Sequence, residues 1–441
     1  MNPIKIILIA CLTFSISVLS YAAAGGGNPP QYFVDETKLP FEALPGATAY
    51  YGVHKGAGYR IEVPENWNGD LVVYAHGYRG TGLELTVDNA PLRPLLIQYG
   101  YAWAASSYSR NDYDIQTGVQ DTHAITTFFN GIAGKPNKVY LMGASMGGHI
   151  TAVALEQYKN TYDAGLPFCG AIGGYALFDY FVDFNVAAQQ LGLGESAYPV
   201  EPATYLGVTT QQIKSNLEAF PGGWPVALNA AGQNLKNLTE NLSGGERPNF
   251  DEAWYYWNII PVESGSGNFM FERGIGDGTS PRAPGFAIDN SDTVYQFDSD
   301  PALSDEEILL NADVVRVSSG PRRGHQGLAQ MPVVNGDINV PVLTLHNLGD
   351  LFVPVLNEVE YAKRVAANGK SDLLVQRAIR GVEHCDFTAE ELATAFIDLV
   401  SWVEYGVKPA GDNFLDKNEM ASPDFGCQHT NGTHLLGTAC P

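Results

Sequence analysis

Apolar and polar positions alternate from Tyr59 to Val63, where Arg60 and Glu62 separate Tyr59, Ile61 and Val63, and this stretch is joined through Lys55-Gly-Ala-Gly58 to a second short stretch, Ala49 to Val53. Two such stretches on either side of a glycine turn predict a pair of short antiparallel strands. The pattern then changes to solid apolar runs: Asp70-Leu-Val-Val-Tyr-Ala-His-Gly77, Tyr101 to Ser106, Val139 to Met142 and Cys169 to Gly174. Each predicts a strand buried on both faces. Between them Val119 to Gly131 and Gly148 to Tyr158 read at helical spacing, the second with Ile150, Val153, Ala154 and Leu155 apolar. Strands alternating with helices imply a mostly parallel sheet covered by helices on both faces.

From about Leu177 to Gly336 this rhythm breaks into an irregular, aromatic and acidic stretch that includes Phe178-Asp-Tyr-Phe181 and Asp251-Glu-Ala-Trp-Tyr-Tyr-Trp257. Alternation resumes with a strand at Val340 to His346, a helix at Val355 to Asn368, a strand at Leu373 to Ile379 and an amphipathic helix at Ala389 to Tyr405 that stops at Gly406. The break is therefore an insertion between two strands of one sheet. The expected division is a core of residues 25–177 and 336–408, an inserted lid domain of 178–335, and a tail of 409–441 docked on the core.

The densest chemical signal is Val139-Tyr-Leu-Met-Gly-Ala-Ser-Met-Gly-Gly-His-Ile150, a strand, a tight turn and a helix. In G-x-S-x-G the flanking glycines let the turn close, and the serine is forced into a strained conformation with its hydroxyl exposed, which makes Ser145 the candidate nucleophile. A serine hydroxyl needs a base within reach and a third group to orient that base. Leu348-Gly-Asp350-Leu-Phe-Val-Pro354 and Gly381-Val-Glu-His384-Cys each directly follow a predicted strand, so Asp350 and His384 fall at strand carboxyl ends. The order Ser145, Asp350, His384 is the order that a nucleophile-elbow enzyme requires. Asp179 is the competing acid, although it falls in an aromatic run. His123, His149, His325 and His346 have no partner motif, and each reads as a structural or surface histidine.

On these residues the chain resembles the α/β-hydrolase superfamily over nearly all of its length except the insertion and the tail. The matches are Gly143 to Gly147, His76-Gly-Tyr-Arg-Gly80, Gly349-Asp350 with Val353-Pro354, and His384 before Asp386-Phe387. The resemblance implies an α/β-hydrolase fold with an inserted lid, and an oxyanion hole from the backbone N–H groups of Met146 and Tyr78, with Gly77 or Arg79 as the alternatives to Tyr78 if the register of that loop shifts. It also implies that His76 organises its loop. Within the superfamily the chain is similar to secreted bacterial serine esterases, and His384-Cys385 is similar to the tannase and feruloyl-esterase group. There a cysteine after the base is bonded to one just before the nucleophile, a position that Ala144 occupies here.

Composition narrows the reading. The chain has 441 residues, with 25 Lys+Arg against 48 Asp+Glu and a formal net charge of −23, which disfavours nucleic acid and anionic membranes as partners. Lys5, the apolar run Ile6 to Leu19 and Ser20-Tyr-Ala-Ala-Ala24 have the form of a secretory signal peptide over residues 1–24, and no stretch predicts a membrane span. A secreted or periplasmic protein is expected, with lipid anchoring through Cys11 as the lesser alternative. No clustered Cys/His spacing suggests a metal, and the acidic run at Asp298, Asp300 and Asp305 lacks the form of a calcium loop. No cofactor is expected. Cys169, Cys385, Cys427 and Cys440 remain for disulfides. Cys169, read as opening a strand, is expected to lie far from Cys385. That leaves Cys385–Cys427 as the preferred bridge and Cys427–Cys440 as the alternative.

The expected function is hydrolysis of carboxylic esters, small or polymeric, through an acyl-enzyme intermediate. Amides and peptides are the nearest rival substrates, and a non-catalytic binding protein on the same fold is the rival of another class. Trp254, Tyr255, Tyr256 and Trp257 are expected either to wall the substrate site or to form the insertion's own core.

Overall fold

The computed structural model describes residues 31–219, 227–259, 269–273, 287–319, 323 and 327–441. The expected signal peptide, Cys11, His325 and parts of the insertion lie outside the described residues.

The two stretches around Lys55-Gly-Ala-Gly58 form a hairpin, β1 (Ala47–His54) and β2 (Ala57–Pro64). The apolar runs supply β3 (Leu71–Ala75), β4 (Ala102–Ser106), β5 (Val139–Ala144), β7 (Val342–Asn347) and β8 (Leu374–Ile379), and Ala164–Phe168, outside those runs, forms β6. They join in one eight-stranded sheet in the order β1-β2-β4-β3-β5-β6-β7-β8. β2 is antiparallel to β1 and β4, and every other pairing is parallel.

Six helices bear on the site: α1 (Ile115–Phe129), α2 (Met146–Gln157), α3 (Tyr175–Leu193), α4 (Phe250–Ile259), α5 (Leu356–Ala367) and α6 (Ala389–Tyr405). Because side chains alternate along a strand, Leu71 and Val73 of β3 face a core shared with Val119, Ile150 and Tyr361 of α1, α2 and α5. Val72 and Tyr74 face the opposite core, shared with Phe396 and Leu399 of α6. The helix α6 starts in a capping box between Thr388 and Glu391 and ends at Gly406, whose φ of 69° closes the left-handed cap.

Leu177 onward was expected to be irregular, yet α3 runs for 19 residues. It is buried nearly all round, so it carries no clean apolar stripe. Cys169 to Gly174 was expected to be a strand, but the strand is β6 before it, and residues 169–174 are the loop that leads into α3. Gly165 and Pro167 are poor strand residues and hid β6 in the pattern.

Beyond residue 409 the chain runs along β8. The Asp412 N–H donates to Gln376 O at 2.7 Å, and Arg380 reaches Phe425 O at 3.0 Å and Ala439 O at 2.8 Å. Among the described residues no helix is long and apolar enough to cross a membrane.

Candidate active site

Ser145 sits between β5 and α2 with φ 55° and ψ −119°, a backbone region that costs about 1–3 kcal/mol for a residue with a side chain. The neighbouring glycines make that turn possible. A Cβ on Gly143 would lie 2.1 Å from Gly147 O, and one on Gly147 would lie 2.0 Å from Ala75 O. The turn is also pinned to its neighbour strand, because the Ser145 N–H donates to Phe168 O at 3.1 Å.

Asp350 lies in the loop after β7 and is fully buried. Its Oδ1 accepts the N–H groups of Phe352 and Val353, both at 2.9 Å, which leaves Oδ2 to accept from His384 Nδ1 at 2.6 Å. His384 follows β8, and its Nε2 is 2.8 Å from Ser145 Oγ. With Nδ1–H committed to the carboxylate, Nε2 carries the lone pair and the serine hydroxyl donates to it. The three residues singled out from sequence therefore form one hydrogen-bonded line, with the imidazole side chain 12 % exposed at its centre.

The Asp350 loop is braced from behind by buried polar groups. His346 Nε2 donates to Val353 O at 2.6 Å, and its Nδ1 lies 3.2 Å from Glu358 Oε1. Burial pushes the His346 pKa down, but the bond to Glu358 and its charge outweigh that and raise it. Thr344 donates to the other Glu358 oxygen at 2.6 Å.

The remaining candidates sort by position. Gly77 presses against the serine, since a Cβ there would be 3.3 Å from Ser145 Cβ, so Tyr78 follows directly at that contact. Met146 opens α2 ahead of its first backbone bond, from Gly148 N–H to Ser145 O at 2.9 Å. The His76 ring is buried and stacked on Tyr108 at 4.1 Å, and burial lowers its pKa to about 4. His149 is buried against the Tyr113 hydroxyl at 3.1 Å, its pKa lowered by burial to about 3. Asp179 is engaged elsewhere. It is gripped by Arg323 at 2.6 and 2.7 Å, and burial raises its pKa to about 6.

The cysteines pair as Cys169–Cys385 and Cys427–Cys440, so the expected Cys385–Cys427 bridge is corrected. Cys169 closes β6 at its carboxyl end instead of opening a strand. With only β7 between β6 and β8, its Cα comes within 5.1 Å of that of Cys385. The Cys169 N–H donates to Leu345 O of β7 at 2.8 Å, while the preceding carbonyl holds Ser145. The bridge thus ties the histidine loop to a point already bonded to the serine turn and to the aspartate's strand. The two sulfurs lie within 4.8 Å of a His384 nitrogen, but joined to each other they are not thiolate ligands for a metal.

Sequence reading also missed where the insertion's aromatics go. Trp257 is 2 % exposed, and its indole N–H donates to Gly349 O at 3.0 Å and to Val382 O at 2.9 Å. Tyr256 donates to Glu383 Oε1 at 2.8 Å. Phe352 lies edge-on to His384, with ring centroids 5.0 Å apart, and Phe181 stacks on it at 6.2 Å.

No protein-family profile matches the chain. It is 24% identical over 412 residues to an o-phthalyl amidase of Xanthobacter agilis, across 80% of this chain and 87% of that protein. It is 29% identical over 134 residues to acetylxylan esterase A of Aspergillus ficuum, across 27% of this chain and 44% of that protein. Among solved structures it is similar to feruloyl esterase B from Aspergillus oryzae, with a TM-score of 0.46 and 16% identity, covering 83% of this chain and 82% of that one. By its strand order, its strained serine turn and the strand-end placement of Asp350 and His384, the chain has the α/β-hydrolase fold.

Proposed function

We propose that this protein is an exported serine hydrolase that cleaves carboxylic esters through an acyl-enzyme intermediate. The observation that carries the reading is the continuous line from Ser145 Oγ to His384 Nε2 at 2.8 Å and from His384 Nδ1 to Asp350 Oδ2 at 2.6 Å. Ser145 attacks the ester carbonyl as its proton passes to His384, and Asp350 holds the imidazole in the right tautomer and stabilises its charged form. The N–H groups of Met146 and Tyr78 hold the developing oxyanion, each worth on the order of 3 kcal/mol in the transition state. Collapse expels the alcohol, which takes the proton from His384. Water, activated by the same histidine, then releases the acid and restores Ser145.

Residues 178–335 act as a lid over the carboxyl ends of the strands, a reading supported by the bonds from Tyr256 and Trp257 into the loops around Asp350 and His384. Export rests on residues 1–24 and on the two disulfides, which belong to an oxidising compartment. A second reading, cleavage of amides by the same machinery, is favoured by the similarity to the o-phthalyl amidase over 80% of the chain.

A fluorophosphonate probe should label the protein stoichiometrically at Ser145, and Ser145→Ala should fold normally, stay unlabelled and lose nearly all hydrolysis. A folded wild-type chain that resists the probe refutes the serine hydrolase. Matched aryl esters and anilides then rank the two substrate classes by kcat/KM.

A further inference from the structure

Trp257 belongs to the insertion, yet its one N–H reaches two carbonyls that belong to the core. Gly349 O immediately precedes Asp350, and Val382 O is two residues before His384. One donor can serve both only if the acid and base loops nearly touch, and Gly349 makes that approach possible. A Cβ there would lie 2.8 Å from both Gly381 O and Val382 Cα, and the Gly349 N–H donates to Gly381 O at 2.8 Å. Gly349 and Val382 are buried, so water does not readily replace the indole as a donor. The ring itself is held by Tyr256, edge-on with centroids 5.2 Å apart, and by Phe352 at 6.5 Å.

We propose that Trp257 is a positioning residue for catalysis: its shared hydrogen bond fastens the Asp350 loop to the His384 loop and so sets the contact between acid and base. The insertion on this view supplies part of the catalytic geometry and is more than a cover. This rests on the serine-hydrolase reading. Trp254, on the same helix α4, packs on Phe184 at 6.5 Å and bonds to neither loop through its ring.

The test compares Trp257→Phe with Trp254→Phe in the full-length chain, reading kcat and KM on an aryl ester, the rate of fluorophosphonate labelling, and the melting temperature. Loss of the clamp lets the two loops drift, and misplacement by about 1 Å lowers a rate by about a hundredfold. Trp257→Phe is therefore expected to lower kcat and the labelling rate by about 10- to 100-fold with KM changed less than about twofold, while Trp254→Phe keeps its kcat within about twofold. Should Trp257→Phe fail to fold, 3-benzothienylalanine at position 257 keeps the ring shape and replaces only the N–H with sulfur. A folded variant of either kind with wild-type kcat overturns the proposal, as does failure of both to fold, which would make Trp257 a stability residue alone. A wild-type chain that is not labelled at all is a separate result: it sinks the hydrolase reading and this inference with it.

Discussion

Breaking Cys169–Cys385 should damage both stability and turnover, whereas breaking Cys427–Cys440 should damage stability alone. The first bridge spans 216 residues and the second 13. On the chain-entropy account, closing loops of these lengths stabilises by about 5 and about 3 kcal/mol, as upper figures. Unfolding entropy of about 2 cal/mol/K per residue gives on the order of 0.9 kcal/mol per degree for a chain of this size. The corresponding falls in melting temperature are about 6 °C for Cys169→Ser with Cys385→Ser, and about 3 °C for the other pair.

The kinetic difference comes from placement. Cys385 adjoins His384, and both half-cystines hold left-handed backbone, with φ 43° at Cys169 and 62° at Cys385. Such angles carry strain for residues with a side chain, so without the bond the histidine loop relaxes away from the 2.6 Å contact with Asp350. A drift of about 1 Å lowers kcat by about a hundredfold. Thermal melts followed by circular dichroism, with kcat measured at 25 °C where all variants are folded, separate the two effects. If the Cys169/Cys385 double variant melts lower but turns over like wild type, the bridge only staples the fold and its proposed hold on the base is wrong.

Two further outcomes follow from the same geometry. Asp350→Asn should lower kcat on the order of 10⁴-fold and His384→Ala on the order of 10⁶-fold, while Asp179→Asn stays active; an inactive Asp179→Asn with an active Asp350→Asn would reassign the acid. His434 of the tail lies 2.9 Å from Glu391 and 3.1 Å from Asp386, two residues past His384. Burial pushes its pKa down, but the bond to Glu391 and the two carboxylate charges outweigh that and raise it above 6.5. Its contribution is therefore complete below pH 6.5 and lost as pH rises through the higher folded value. The melting-temperature gap between wild type and His434→Gln should be wide at pH 6 and narrow at pH 9, and a gap that widens with pH would contradict this assignment.

The parts of the fold that could be read from sequence are those written within one short segment. Solid apolar runs marked five of the eight sheet strands and the glycine-linked hairpin two more, and the run from Val139 to Ile150 carried its own turn chemistry in Gly143 and Gly147. Asp350 and His384 could be matched to Ser145 because each directly follows a strand, and parallel strands bring their carboxyl ends to one edge. One strand, β6, leaves no such mark. Gly165 and Pro167 hide it, so in sequence Cys169 looks like the start of a strand, remote from Cys385, where the fold sets it just past a strand's carboxyl end and in reach of Cys385.

What sequence did not show at all is the set of bonds between segments far apart in the chain. The Trp257 N–H that reaches Gly349 and Val382 looks in sequence like part of an aromatic run, and even over seven residues the bond from His346 to Val353 O looks like a lone histidine. Their meaning depends on carbonyls, which every residue has and no pattern marks. A reading of residue types finds the groups that perform chemistry, because chemistry restricts residue type. It is blind to the backbone acceptors that fix those groups in place, and at this sheet edge such acceptors connect the insertion and both loops to Asp350 and His384.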